Sequence, residues 1–169
     1  MSNNSTNDIF VRTPLIESIP LREYVGDRKI YLKLENTQPS GSFKMRGISA
    51  LCKFAKSKGY TQMVCSSSGN AGLATAYCCM KLGLACHIVV FKMTPEDVCK
   101  KIRAYGATVE CYGDVWDEAY EYSFRLTEGS TTSFLVHPFN HPVLWEGHSS
   151  MIREIAEDLG PEEGMAVLH

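Results

Sequence analysis

"QMVCSSSGNAGLATAYCCMKLGLACHIVVF", residues 62–91, is the stretch whose reading decides the fold. It opens with a short apolar strand, "QMVCSS", residues 62–67. "NAGLATAYCCMKLG", residues 70–83, follows as a helix of small residues closed by Gly83. "ACHIVVF", residues 85–91, is apolar almost throughout, as a strand covered on both faces must be. A strand, a helix and a strand in succession form a right-handed crossover between parallel neighbours.

The same alternation extends in both directions. Upstream, "KIYLKLE" (29–35) alternates apolar and polar residues and predicts a strand. "SFKMRGISALCKFAKSKG" (42–59) then places Ile48, Leu51, Cys52 and Ala55 at helical spacing and stops at Gly59. Downstream, "TPEDVCKKIRAYG" (94–106) predicts a helix with Thr94 as N-cap, Pro95 at the first helical position, acids at 96 and 97, and Gly106 past its end. "TVECYG" (108–113) is a strand, and 114–129 a helix with Val115, Ala119, Tyr122 and Leu126 on one stripe. "SFLVHPF" (133–139) is a strand and turn. The helix within 141–160 lines up Leu144, Met151, Ile155 and Leu159, and "MAVLH" (165–169) starts another strand. The pattern specifies an α/β fold: an open, twisted, mostly parallel sheet with helices on both faces.

Composition narrows the function classes. The 169 residues are 44% hydrophobic and 21% charged, which is globular and sufficient for a real core. The net charge of −2, with basic residues scattered, gives no footprint for nucleic acid or an acidic membrane surface. No apolar run approaches the roughly 20 residues of a membrane span, and the polar start "MSNNSTNDIF" does not resemble a signal peptide. Seven cysteines, an odd count without a C-x-x-C and mostly inside apolar runs, read as buried free thiols in a reducing compartment, with cytoplasm the expectation. Neither cysteines nor histidines show zinc-ligand spacing, so no metal site is expected.

Two stretches carry chemistry. "SSSGNAG", Ser66 to Gly72, lies between an apolar strand and a helix. Its small residues let the backbone curl around a ligand, and its N–H groups with the helix dipole form a cradle for a carboxylate or phosphate. A plain capped strand-to-helix turn explains the residues equally well. The spacing matches neither G-x-G-x-x-G nor the P-loop. The second stretch is "SGSFKMRG", residues 40–47, which sets Lys44 at the start of a helix. The dipole there disfavours a cation, so the placement lowers the amine's pKa and burial lowers it further. A neutral amine is what Schiff-base chemistry needs. A lysine extending into solvent is the plainer alternative.

"KLENTQPSGSFKMRG" (33–47), then "SSSGNAG", then "HPFNHPVLWEGHSSMIREI" (137–155) resemble, in order, the pyridoxal-phosphate enzymes of the tryptophan-synthase-β type, fold type II. Within that group the chain is most similar to the L-serine dehydratase/L-threonine deaminases, including the serine dehydratase-like proteins. The resemblance implies that Lys44 holds pyridoxal 5′-phosphate as a Schiff base, that Phe43 lies against one face of its ring and that Asn70 meets its 3′-oxygen. It implies that Ser67, Ser68, Gly69, Asn70 and Ala71 grip the substrate carboxylate. The implied reaction is β-elimination from L-serine or L-threonine, giving pyruvate or 2-oxobutanoate and ammonia. Arg46, about 200° around the helix from Lys44, is read as structural, as are His137 and His141; Trp145 and His148 are read as packing residues of the following helix. Ser68 departs from the alanine of many relatives.

The resemblance also implies a two-domain architecture whose large domain is incomplete here. Residues 43–138 would form the small α/β domain, and 1–42 with 139–169 part of the large one, its apolar faces exposed. The glycine run that wraps the cofactor phosphate would come after His169, and a full-length form would be a homodimer. The alternative to the enzyme is a truncated, non-catalytic form acting at most as a binding or interfering partner.

Overall fold

The computed structural model of the chain describes residues 8–26 and 28–160. The expected strand at 165–169 and the first seven residues of the polar start lie outside them. Four strands build a parallel sheet: β3 (Gln62–Ser66), β4 (Ala85–Val90), β5 (Thr108–Cys111) and β6 (Ser133–Leu135). Their spatial order is β5-β4-β3-β6. Val64 pairs with both His87 and Leu135, which makes β3 a central strand.

Chirality sets the layers. The connections through α3 (Asn70–Leu82) and α4 (Glu96–Ala104) both step from β3 toward β5, whereas α5 (Trp116–Thr127) runs back across the sheet to β6. Right-handed crossovers therefore place α3 and α4 on one face and α5 on the other. Alternation along the strands follows. Met63, Cys65, Cys86, Ile88 and Val90 join one buried cluster with α3 and α4, while the intervening Val64 and Val89 are buried outside it. Gly83, at φ 66°, ends α3 in the left-handed conformation expected of it. α2 (Lys44–Ser57) lies on α3 through Met45, Ile48, Leu51, Cys52 and Ala55, all fully buried, and α6 (Pro142–Leu159) crosses α2.

The structure corrects several expectations. The strand expected at 29–35 narrows to β2 (Tyr31–Lys33) and does not enter the parallel sheet. It pairs antiparallel with β1 (Leu15–Glu17) in a separate ribbon, followed in sequence by a 3-10 turn at Glu35–Thr37. Between β1 and β2 lies a short α1 (Ile19–Tyr24), which Ser18 caps. Alternation fixes which side chains share a face but says nothing about the neighbouring strand's direction. Thr94 is not the N-cap of α4. Pro95 holds that place, and the Thr94 hydroxyl is buried without a partner. On α5 the expected stripe holds only at its middle, where Ala119 is buried and Tyr122 half-buried. Val115 and Leu126 are exposed, and the buried residues are Ala119 and Ser123. Small residues let that helix lie close on the sheet, and Ser123 returns its hydroxyl to Ala119 O at 2.9 Å, so it is buried satisfied.

Ile16, Ile19, Leu21, Tyr24, Val25 and Leu32 are exposed large apolar residues of the β1–α1–β2 segment. All seven cysteines are free, and only Cys111 is exposed. Among the described residues no helix is long and apolar enough to cross a membrane, and no His, Cys, Asp and Glu cluster is placed to hold a metal ion.

Candidate active site

In an open parallel sheet ligands bind beyond the carboxyl ends of the strands. The neighbouring strands β3 and β6 end here, and the Lys44 amine is brought to the same edge. The turn that delivers it depends on Gly41, whose φ of 81° favours glycine. α2 then begins directly at Lys44. Lys44 Nζ donates to Pro138 O, just past β6, at 2.9 Å. It lies 5.2 Å from the ring centre of Phe43 and 4.6 Å from that of Phe139. Burial pushes its pKa below the usual lysine value, opposed in part by Cys65 near the end of β3. The amine is thus half-desolvated, among aromatic rings, at the positive end of a helix.

The loop after β3 supplies the second half. Ser67 N–H is held by Val89 O at 3.2 Å, and Ser67 Oγ accepts from Gly69 N–H at 3.3 Å. The turn then folds back on α3 so tightly that a Cβ at position 72 would lie 2.4 Å from Ser67 O. Only glycine fits there, and Gly72 is a site-shaping residue that the Ser67–Ala71 expectation did not include. No side chain caps α3. The N–H groups of Ser68, Asn70 and Ala71 have no acceptor among the described residues. The space beside Gly69 is open and Asn70 is exposed. Unsatisfied donors at a helix N-terminus form an anion site. Ser66 Oγ, at the root of the loop, is buried without a partner.

Aromatic side chains connect the two halves. Trp116 Nε1 donates to Ser66 O at 3.0 Å, and its ring meets Phe139 edge-on at 6.1 Å. Trp145 Nε1 in turn donates to Phe139 O at 2.8 Å. Sequence reading assigned Trp145 to helix packing, yet it is 54% exposed and holds the turn beside Lys44. His137 Nδ1 accepts from the N–H groups of Phe139 and Asn140, both at 3.0 Å, and His141 Nδ1 caps α6 through Val143 N–H at 3.1 Å. Both histidines are structural, as expected.

Arg46 is also structural. It is fully buried and grips Glu35 through Nε and Nη2, each at 2.8 Å, and Glu154 through Nη1 at 2.7 Å and Nη2 at 2.8 Å. Lys33 adds a contact to Glu154 at 2.8 Å. Burial is the largest single influence and would raise both carboxyls, but the hydrogen bonds and charge of Arg46, joined by Thr13 and Gln38 at Glu35 and by Lys33 at Glu154, together outweigh it, and both lie below the ordinary glutamate value. This network ties the first turn of α2 to α6 and to the turn after β2. His148 of α6 also reaches that turn: its Nδ1 accepts from Gly47 N–H at 3.2 Å. It was read as a packing residue, and the glycines at 47 and 147 were the sequence signal for this close crossing.

Comparison with known proteins agrees with this geometry. Residues 7–168 match the family model described as pyridoxal-phosphate dependent enzyme. The chain is 41% identical over 160 residues to the L-serine dehydratase/L-threonine deaminase of Mus musculus, covering 95% of this chain and 49% of that protein. It is 43% identical over 158 residues to the serine dehydratase-like protein of the same organism, covering 92% and 47%. A solved fungal L-serine ammonia-lyase from Rhizomucor miehei superimposes with a TM-score of 0.82 at 36% identity, covering 89% of this chain and 48% of that one. The chain spans about half the length of the curated relatives it matches. With a lysine amine, a flanking aromatic ring and an anion cradle on one sheet edge, and a family match over nearly its whole length, the chain belongs to the pyridoxal-phosphate dependent enzyme family.

Proposed function

We propose that the protein takes part in pyridoxal-phosphate-dependent β-elimination of L-serine, L-threonine or both, yielding pyruvate or 2-oxobutanoate and ammonia. The observation that carries this reading is the Lys44 amine, held half-desolvated between Phe43 and Phe139 at the edge where the β3 loop leaves its N–H groups unsatisfied. The residues present fit the cofactor: a nucleophilic amine, a flat ring beside it and open space at Gly69. When bound, pyridoxal phosphate supplies the electron sink for charge developing at the substrate Cα. Lys44 would hold it through its amine and, when free, would take the Cα proton; burial lowers the amine's pKa and so favours the neutral, nucleophilic form. Phe43 and Asn70 hold the ring. Ser67, Ser68, Gly69, Asn70 and Ala71 hold the α-carboxylate, with the N–H groups of Ser68, Asn70 and Ala71 as donors.

The domain division accompanies this reading. Residues 43–138 form the small domain, supported by a four-stranded sheet whose strands all fall within 62–135. Residues 1–42 and 139–169 belong to the large domain, supported by a ribbon that pairs with no strand of that sheet. A cytoplasmic location fits seven free thiols, and a homodimer is the expected assembly of a full-length form.

The test uses the 169-residue chain with pyridoxal phosphate, borohydride reduction and peptide mass spectrometry, then assay of 2-oxo acid release from L-serine and L-threonine. The expected result is a reduced pyridoxyl adduct on the Lys44 peptide, lost in Lys44→Ala, with 2-oxo acid formed. An adduct that persists in Lys44→Ala overturns the assignment of the lysine. An adduct on Lys44 without turnover overturns catalysis by this chain and leaves the binding-partner reading.

A further inference from the structure

The Lys44 turn is held from outside its own helix. Met45 N–H bonds to Ser42 O at 3.2 Å and Arg46 N–H to Phe43 O at 3.0 Å, a tightened 3-10 pattern. Gly47 N–H, the next donor, goes to His148 Nδ1, 101 residues away. The imidazole reaches it because two glycines face each other where α2 and α6 cross. A Cβ at position 47 would lie 2.5 Å from His148 Cε1 and 2.7 Å from Nδ1, and one at 147 would lie 2.7 Å from Gly47 Cα. The ring also packs on Phe43, with centroids 5.0 Å apart and planes tilted by 58°.

An Nδ1 that accepts must be unprotonated, so the neutral ring carries its proton on Nε2. That atom is buried and without a hydrogen-bond partner. Burial, then the charge of Lys44, pushes the imidazole down to about 4; Arg46 lowers it further, while Glu35 and the Phe43 carbonyl oppose them. The accepting form is therefore the form present near neutral pH.

We infer that His148 is a positioning residue for Lys44: through Gly47 N–H and the Phe43 ring it fixes the first turn of α2 and hence the direction of the amine. This rests on the reading of Lys44 as the reactive lysine. A side chain that only filled space would leave the amine's behaviour unchanged when replaced by another of similar volume.

The test uses the full chain without added cofactor. Nitrogen NMR of the His148 ring should show the Nε2–H tautomer. His148→Leu should lose the bond to Gly47, raising the exchange rate of that amide about tenfold. In the same variant the pH profile of Lys44 labelling by a small acylating reagent should move upward, toward the ordinary lysine value. His148→Gln, whose Oε1 can accept from Gly47 N–H, should restore the wild-type profile. An Nδ1–H tautomer in the wild type overturns the inference, as does a wild-type labelling profile in His148→Leu. Where His148→Leu does not fold, the wild-type tautomer and the His148→Gln profile decide. Because no readout uses pyridoxal phosphate, failure to form the Lys44 adduct overturns the proposed function separately.

Discussion

Replacing Arg46 with methionine removes the centre of the buried network while keeping an unbranched side chain of similar length. Arg46 makes four short contacts of 2.7–2.8 Å to two carboxylates, and its side chain is 0% exposed. In Arg46→Met, Glu35 and Glu154 remain side by side with Lys33 as the cation on Glu154. Breaking a buried ion pair by deleting one partner costs about 3–5 kcal/mol, because the remaining charge is left uncompensated. With a urea slope of about 2 kcal/mol per molar, the unfolding midpoint should fall by roughly 2 M at pH 7.5. Circular dichroism and the fluorescence of Trp116 and Trp145 report the transition. The sign of the pH dependence is a second check. In the wild type both carboxyls lie below their ordinary value, so the stability they contribute is present above the unfolded glutamate pKa of about 4.3 and is lost as pH falls through the folded values. In the variant burial acts unopposed by Arg46 and raises them, so they take up protons earlier and the gap to wild type narrows on acidification. Adding Glu35→Gln and Glu154→Gln should recover part of the loss. An unchanged midpoint at pH 7.5, or a gap that widens toward pH 5, would refute the argument.

Other outcomes follow from local geometry. Gly147→Ala forces a Cβ to 2.7 Å from Gly47 Cα and should cost about 1–3 kcal/mol of overpacking in a thermal melt. Gly72→Ala, with its Cβ 2.4 Å from Ser67 O, should weaken pyridoxal phosphate-dependent turnover by disturbing the carboxylate loop, read as a raised KM for the amino acid. The His148 pKa, lowered from 6.5 to about 4, means that wild type should lose stability relative to His148→Gln as pH drops from 6.5 toward 4, measured by urea titration. Thiol titration of the native protein should label one cysteine rapidly, Cys111, and all seven after denaturation.

Reading the sequence was most successful where information is local. The unit β3–loop–α3–β4 stands where the period of "QMVCSSSGNAGLATAYCCMKLGLACHIVVF" put it, and Gly83 ends its helix as expected. It was least successful where a pattern has several tertiary solutions. The alternation in 29–35 suits a parallel sheet or an antiparallel ribbon, and Leu15–Glu17 supplied the latter. On α5 the expected stripe ran from Val115 through Ala119 to Leu126, but a helix lying close on a sheet buries its small residues, Ala119 and Ser123, and leaves the larger ends of that stripe exposed. Lys44 was legible because a cation at a helix start goes against the dipole. Phe139 and Trp116 were not, since their role depends on how separate loops meet.

The sequence by itself determined the α/β alternation, the place of Lys44 at a helix start, the strand-to-helix turn of Ser66 to Gly72 and the family. Each is a property of a few neighbouring residues, through backbone propensity, periodicity and motif order. Only the tertiary structure decided which distant faces meet. Glu154 reaches Arg46 across 108 residues and His148 reaches Gly47 across 101. The physical reason is that periodicity fixes the face a side chain occupies, whereas its partner is fixed by helix crossing. At this crossing, Gly47 and Gly147 let α2 and α6 approach closely enough for α6 to hold the turn that aims Lys44.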